Sequence, residues 1–257
     1  MTKPNEPARS DTNSPVLVEF VGVPGGGKST LARELACDLR ADSLPVRTPV
    51  SEVNTIESRI HRVQRKSTII ARYALRHPRR TVGWIRTVRR LSGGVRRDTV
   101  NVGFYWLFVA GALSCYRGSD GVTIADQGLF QAYWSAVLGN PTPPEDVIRS
   151  IIEAEFRETQ LVVVLVEVDV EEARRRLAAR SNNPSRISAD VTETAEGISS
   201  YSVRDAQSAY NHIEGSLTAI EDEFGNVSVI RCVNDERSDI DPNVQAIASE
   251  LFERLGR

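Results

Sequence analysis

The stretch Gly22 to Thr30, GVPGGGKST, sets a glycine five residues ahead of Gly27-Lys28-Ser29. Backbone N–H groups in such a loop curl around an anion, and the positive end of a following helix adds to the attraction. Gly22, Pro24, Gly25, Gly26, Gly27 and Thr30 are therefore read as a phosphate cradle. Lys28 is spaced to reach the β- and γ-phosphates of a nucleotide, and the Ser29 hydroxyl to ligate Mg²⁺. A metal beside phosphates also needs a carboxylate, usually at the end of a neighbouring apolar strand. Asp126, closing VTIAD, fits that place; capping a turn or helix is its other reading. A third set lies in VDVEEARRRLAARSNNPSR. Arg176 and Arg180 are four apart on one helix face, and Arg186 follows in a polar loop. Guanidinium groups converging on transferring phosphates would offset developing charge. A solvated helix face paired with Glu171 and Glu172 is the alternative.

These groups need a scaffold that brings them together. VLVEFV, residues 16–21, precedes the loop as a strand, and Leu31, Leu35 and Leu39 mark a helix after it. Further strands are expected at VRTPV (46–50, interrupted by Pro49), GVTIAD (121–126), LVVVLVEV (161–168) and VSVIRCV (227–233). Helices fill the intervals: three pieces over 56–117 broken at His77-Pro78 and Gly93-Gly94, then 145–158, 171–180, 201–223 and 243–255, with another around Trp134 and Val137. Alternating strands and helices imply a doubly wound, mostly parallel five-stranded α/β sheet, with ligands at the C-terminal strand ends.

With 257 residues the chain is long enough for one α/β core with an inserted helical part. The organisation expected is a disordered polar leader over 1–14, one domain over 15–257 with a helical insert at 56–117, and a lid-like segment at 169–190. Cys37, Cys115 and Cys232 are far apart and show no C-x-x-C spacing, the usage of a reducing, cytoplasmic compartment without a zinc site. The longest apolar run, 102–115, is too short to cross a bilayer and reads as a buried helix.

Together, GVPGGGKST, the aspartate of IADQG and the run Asp169, Arg176, Arg180, Arg186 resemble the P-loop kinases of the thymidylate and nucleoside-monophosphate kinase type. The motif-level likeness covers 15–53 and 121–187. It implies ATP on Gly22 to Thr30, Mg²⁺ near Ser29 and Asp126, lid arginines at Arg176, Arg180 and Arg186, and adenine against Asn234-Asp235. Thymidylate kinases follow the strand-end Asp with Arg; here Gln127 stands, so a thymidylate acceptor is not implied. Deoxynucleoside kinases carry an acid after the second strand that takes the acceptor proton. Glu52 resembles it in position, and an exposed helix-start glutamate is its other reading.

Other P-loop classes fit less well. Leu91-Ser-Gly-Gly-Val95 resembles a transporter ATPase signature but lacks the following Gln and lies far ahead of Asp126. No guanine-specific Asn-Lys-x-Asp is present. The expected activity is ATP-dependent phosphoryl transfer to a small-molecule acceptor, with a regulatory ATPase as the rival. The span 59–97 holds thirteen of the chain's thirty-two Lys and Arg and no Asp or Glu. Its basic amphipathic helices fit an anionic acceptor, an anionic membrane, or a solvated face packed on the acidic remainder. Nucleic acid is not expected, since no recognised binding module accompanies the charge.

Overall fold

The computed structural model describes residues 15–92, 97–116, 120–138, 140, 142–144, 146–179 and 203–255. The leader and residues 180–190 of the lid-like segment lie outside them. β1 (Val16–Gly22) and β3 (Val122–Ala125) are buried throughout, and β4 (Gln160–Glu167) is buried except at its ends. Strands covered on both faces have no solvent side, hence their near-continuous apolar runs. β2 (Val46–Arg47) and β5 (Val227–Val233) form the edges, so the order is β2-β3-β1-β4-β5 with all pairings parallel.

The helices cover the two faces. On one, Leu31, Leu35 and Leu39 of α1 (Lys28–Ala41) pack with Val244, Ile247 and Leu251 of α10 (Ile240–Arg254). The other face is larger. Between β2 and β3 it receives α2 (Pro49–Asn54), α3 (Arg59–Arg76), α4 (Pro78–Leu91) and α5 (Arg97–Ser114). Between β3 and β4 lie α6 (Leu129–Val137) and α7 (Asp146–Ile151), the latter continuing into a π-helical turn, Ile152–Phe156. α8 (Val170–Ala178) and α9 (Val203–Glu221) join β4 to β5. From β1 the chain passes to β2 and β3 on one side and then crosses over to β4 on the other, and the crevice at that reversal is where this class of sheet binds ligands.

Two local readings change. The second strand keeps only Val46 and Arg47, because Pro49 sits at the first helical positions of α2. Proline has no N–H for a strand ladder, but its fixed φ suits the first turn of a helix. The arginine-bearing helix stops at Ala178, with Ala179 as its C-cap. The apolar run 102–115 falls largely within α5, with Trp106, Phe108 and Val109 fully buried. Among the described residues no helix is long and apolar enough to cross a membrane.

The inserted helices are anchored through one buried carboxylate. Glu155, 2% exposed, accepts from Tyr73 Oη at 2.7 Å and Trp84 Nε1 at 2.9 Å, tying α3 and α4 to the turn after α7. Trp84 also packs on Trp106 of α5. Arg90 pairs with Asp146 at 3.0 Å, and Asn140 donates to the Leu91 carbonyl. Glu155→Leu should cost about 2–4 kcal/mol in urea unfolding, since two buried donors lose their acceptor. Tyr73→Phe, which removes one donor and keeps the acceptor, should cost about 1 kcal/mol.

Candidate nucleotide site

The loop after β1 is shaped by its glycines and by a neighbour from the far end of the chain. Gly25 and Gly27 take φ of 90° and 88°, a region L side chains rarely adopt. A Cβ on Gly27 would also collide with Asn234 Nδ2. That amide, almost fully buried, donates to the Gly26 carbonyl at 2.7 Å and braces the loop from behind. Lys28 turns back over the loop, its Nζ donating to the carbonyls of Gly22 at 2.7 Å and Val23 at 2.9 Å. Ser29 Oγ donates to Asp126 Oδ2 at 3.1 Å.

This last contact joins residues 29 and 126 because β1 and β3 are neighbours in register, Val16 opposite Val122 and Glu19 opposite Ala125. Asp126 Oδ1 is buried and makes no hydrogen bond among the described residues. Burial pushes the Asp126 carboxyl up, while the Ser29 hydroxyl, the Lys28 charge and nearby backbone amides pull it down. A buried carboxylate oxygen with no hydrogen bond, beside a hydroxyl and next to a phosphate loop, suits a hard cation whose other ligands are phosphate oxygens and water.

Arg176 lies in the same region and is held there. Its guanidinium donates to the carbonyls of Asn234 at 2.9 Å and Asp235 at 2.7 Å, with Glu172 on the Nε side. Arg174 and Arg175 pair with Glu171 and Glu172 along the exposed side of α8. Asp169 caps that helix, its Oδ1 accepting from the amides of Glu171 and Glu172. Thr30, Arg33, Arg175, Arg176 and residues 234–237 line an open cleft of about 980 Å³ beside the loop. Its size suits a nucleoside. Arg180 and Arg186 lie outside the described residues.

Glu52 stands apart from this group. Its carboxylate accepts from the Thr48 amide and hydroxyl at 3.3 Å, closing the first turn of α2, and it neighbours Tyr116. No hydrogen bond or ion pair links it to Lys28, Ser29 or Asp126 among the described residues. Gln127 is engaged too, accepting from Tyr105 Oη at 3.0 Å.

Two further residues, Glu19 and Gln131, carry no functional motif in the sequence yet shape the site. Glu19, 0% exposed in the middle of β1, accepts from the first-turn amides of α6: Leu129 at 3.0 Å, Phe130 at 2.6 Å and Gln131 at 3.1 Å. Gly128 leaves room, for a Cβ there would strike that carboxyl. Gln131 Oε1 in turn accepts from the Gly22 amide at 3.2 Å, where the loop begins. The available signal was a single carboxylate inside an apolar strand, a placement that demands a partner.

The parallel sheet in this order, with G-x-x-x-x-G-K-S between its central strand and α1, is a P-loop α/β fold. No protein-family model matches the chain, and no curated protein matches it. Among solved structures, a shikimate kinase from Bacteroides thetaiotaomicron aligns over 93% of this chain and 98% of its own, with TM-score 0.41 and 16% identity. A deoxyadenosine kinase from M. mycoides, solved with bound dATP, aligns over 92% and 98%, with TM-score 0.45 and 13% identity. Likeness at this level leaves the activity to be argued from the site itself.

Two outcomes are expected from the bracing groups. Asn234→Ala should weaken binding of a fluorescent nucleotide roughly fivefold to tenfold, the worth of one buried hydrogen bond to the loop. Burial pushes Glu19 from 4.5 up to about 8, with the three amides acting in the opposite direction. The folded state then holds a proton that the unfolded chain releases, so this group's stabilisation is full below about pH 4.5 and lost as pH rises to about 8. Glu19→Gln should flatten that part of the stability profile in urea titrations.

Proposed function

We propose that the chain is a small-molecule kinase, moving the γ-phosphoryl group of ATP to an acceptor, with Mg²⁺. The observation that carries this reading is the Ser29–Asp126 contact, with the second Asp126 oxygen buried beside the phosphate loop and making no hydrogen bond. A glycine-rich turn of purely structural use has no need of such a pair.

In this reading the loop amides and the N-terminus of α1 hold the β- and γ-phosphates, and Lys28 exchanges its loop carbonyls for phosphate oxygens. Ser29 and Asp126 hold the magnesium ion, which when bound offsets phosphate charge. The cleft between α1, α8 and residues 234–237 takes the nucleoside, bordered by the guanidinium of Arg176. The acceptor oxygen forms a bond to the γ-phosphorus as the bond to the β–γ bridging oxygen breaks, and ADP leaves with that electron pair. For a hydroxyl acceptor the proton goes to a base. Glu52 is the proposed base, and taking that role requires it to exchange Thr48 for the acceptor. Arg180 and Arg186 are proposed to close over the transferring group and exclude water. The acceptor is read as an anionic or hydroxyl-bearing small molecule such as a nucleotide, nucleoside or sugar.

ATP consumption measured with nucleosides, nucleotides, sugars and sugar phosphates tests this. One acceptor class should raise turnover strongly, and Lys28→Ala and Asp126→Asn should each lower it by about 10²–10⁴-fold with the fold intact. Turnover indifferent to every acceptor would replace the kinase by a regulatory ATPase.

A further inference from the structure

The inserted helices present to solvent a surface that phosphoryl transfer does not use. α3 and α4 both pack inward on α5, through Tyr73 on one and Trp84, Val88 and Leu91 on the other, and Glu155 pins them in that orientation. Their outer faces are therefore fixed. On those faces stand Ile60, Val63, Leu75, Val82 and Ile85, five of the nine large apolar side chains exposed among the described residues. Leu75 is 83% exposed and Ile60 70%.

Cations surround them. Arg59, Arg72, Arg76, Arg79, Arg86 and Arg89 are all exposed. Among the described residues, only Arg80 and Arg90 of these two helices have a carboxylate oxygen within 4.0 Å. The other arginines of this face thus have no carboxylate partner among the described residues. Unpaired guanidinium groups interleaved with aliphatic side chains on a rigid helical pair match the boundary between anionic headgroups and acyl chains. A nucleic-acid phosphate backbone would use the charge but not the aliphatics, and single strands favour aromatic platforms, whereas the five side chains here are Ile, Leu and Val.

We infer that the outer face of α3 and α4 docks on an anionic lipid surface, with the arginines at the headgroups and Ile60, Leu75, Val82 and Ile85 entering the interface. This goes beyond the kinase reading and does not depend on it. Docking of this kind is peripheral and reversible, because the apolar area is small and the charges are screened by salt.

Flotation of the full chain with two kinds of vesicle tests it: phosphatidylcholine alone, and phosphatidylcholine with about one third phosphatidylglycerol. The chain should float with the anionic vesicles only, and raising salt from about 0.1 to about 0.5 M should weaken binding at least tenfold. Arg86→Gln with Arg89→Gln should lose about tenfold or more, since each basic residue near an anionic surface contributes substantially. Leu75→Ser with Ile85→Ser should lose roughly as much. Lys28→Ala should float like the unaltered chain, so failure of the nucleotide reading is separable from failure of this one. Equal binding to both vesicle kinds, or none to either, overturns the inference. So does retention on heparin or duplex DNA that ignores the Leu75 and Ile85 changes, or a salt-sensitive self-association that accounts for the surface. The lipid comparison needs no variant and stands even if a substituted chain misfolds.

Discussion

A carboxylate with no access to water, in the central strand of the sheet, is the constraint on which the top of this fold rests. Glu19 can be buried only because three first-turn amides of α6 converge on it, and those amides lack helical partners of their own. Each side thus satisfies what the other leaves open. The pairing fixes where α6 begins relative to β1, and so how the chain leaves Asp126 at the end of β3. Gln131, one turn into α6, then holds the first amide of the phosphate loop. The glycine-rich loop and the Asp126 carboxylate are consequently positioned by one network rather than by two independent turns.

Much of this was legible in the amino-acid order, and the exceptions have physical causes. The glycine loop, its flanking strand and helix, and the strand ending in Asp126 all declare themselves through local pattern, which is why five parallel strands could be expected. Glu19 does not declare itself in the sequence because its partners lie in residues 129–131, and no local rule links a strand carboxylate to a helix start so distant in sequence. Arg176 illustrates the converse. Its spacing marks it as a phosphate-facing group, but only the three-dimensional arrangement shows its guanidinium taken up by the Asn234 and Asp235 carbonyls. Glu52 was placed by analogy of position, and its hydrogen bonds to Thr48 depend on the turn that Pro49 imposes.

The inserted helices divide their residues between two tasks. Inward, a few large side chains and the Glu155 carboxylate make α3, α4 and α5 an integral layer of the domain. Outward, the same helices carry arginines of which only Arg80 and Arg90 find a carboxylate among the described residues. An amphipathic pattern in sequence shows both faces but cannot tell which cations find partners in the fold; the ion-pair geometry decides it, and among the described residues it leaves most of them facing solvent.

The strand register also governs the order in which this protein can assemble. β1 precedes both of its hydrogen-bonding neighbours in the chain: β3, which pairs Val122 with Val16, and β4, which pairs Gln160 with Val16. During synthesis an apolar strand and a glycine-rich loop must therefore wait, unpaired, until the chain has grown past Ala125 on one side of the sheet and past Glu167 on the other. Long-range parallel pairing of this kind is slow, and its unpaired strands are prone to aggregate in the interval. The glycine-rich loop gains the Asn234 amide that braces its Gly26 carbonyl only after β5 has been made, so its final shape depends on residues more than two hundred positions later.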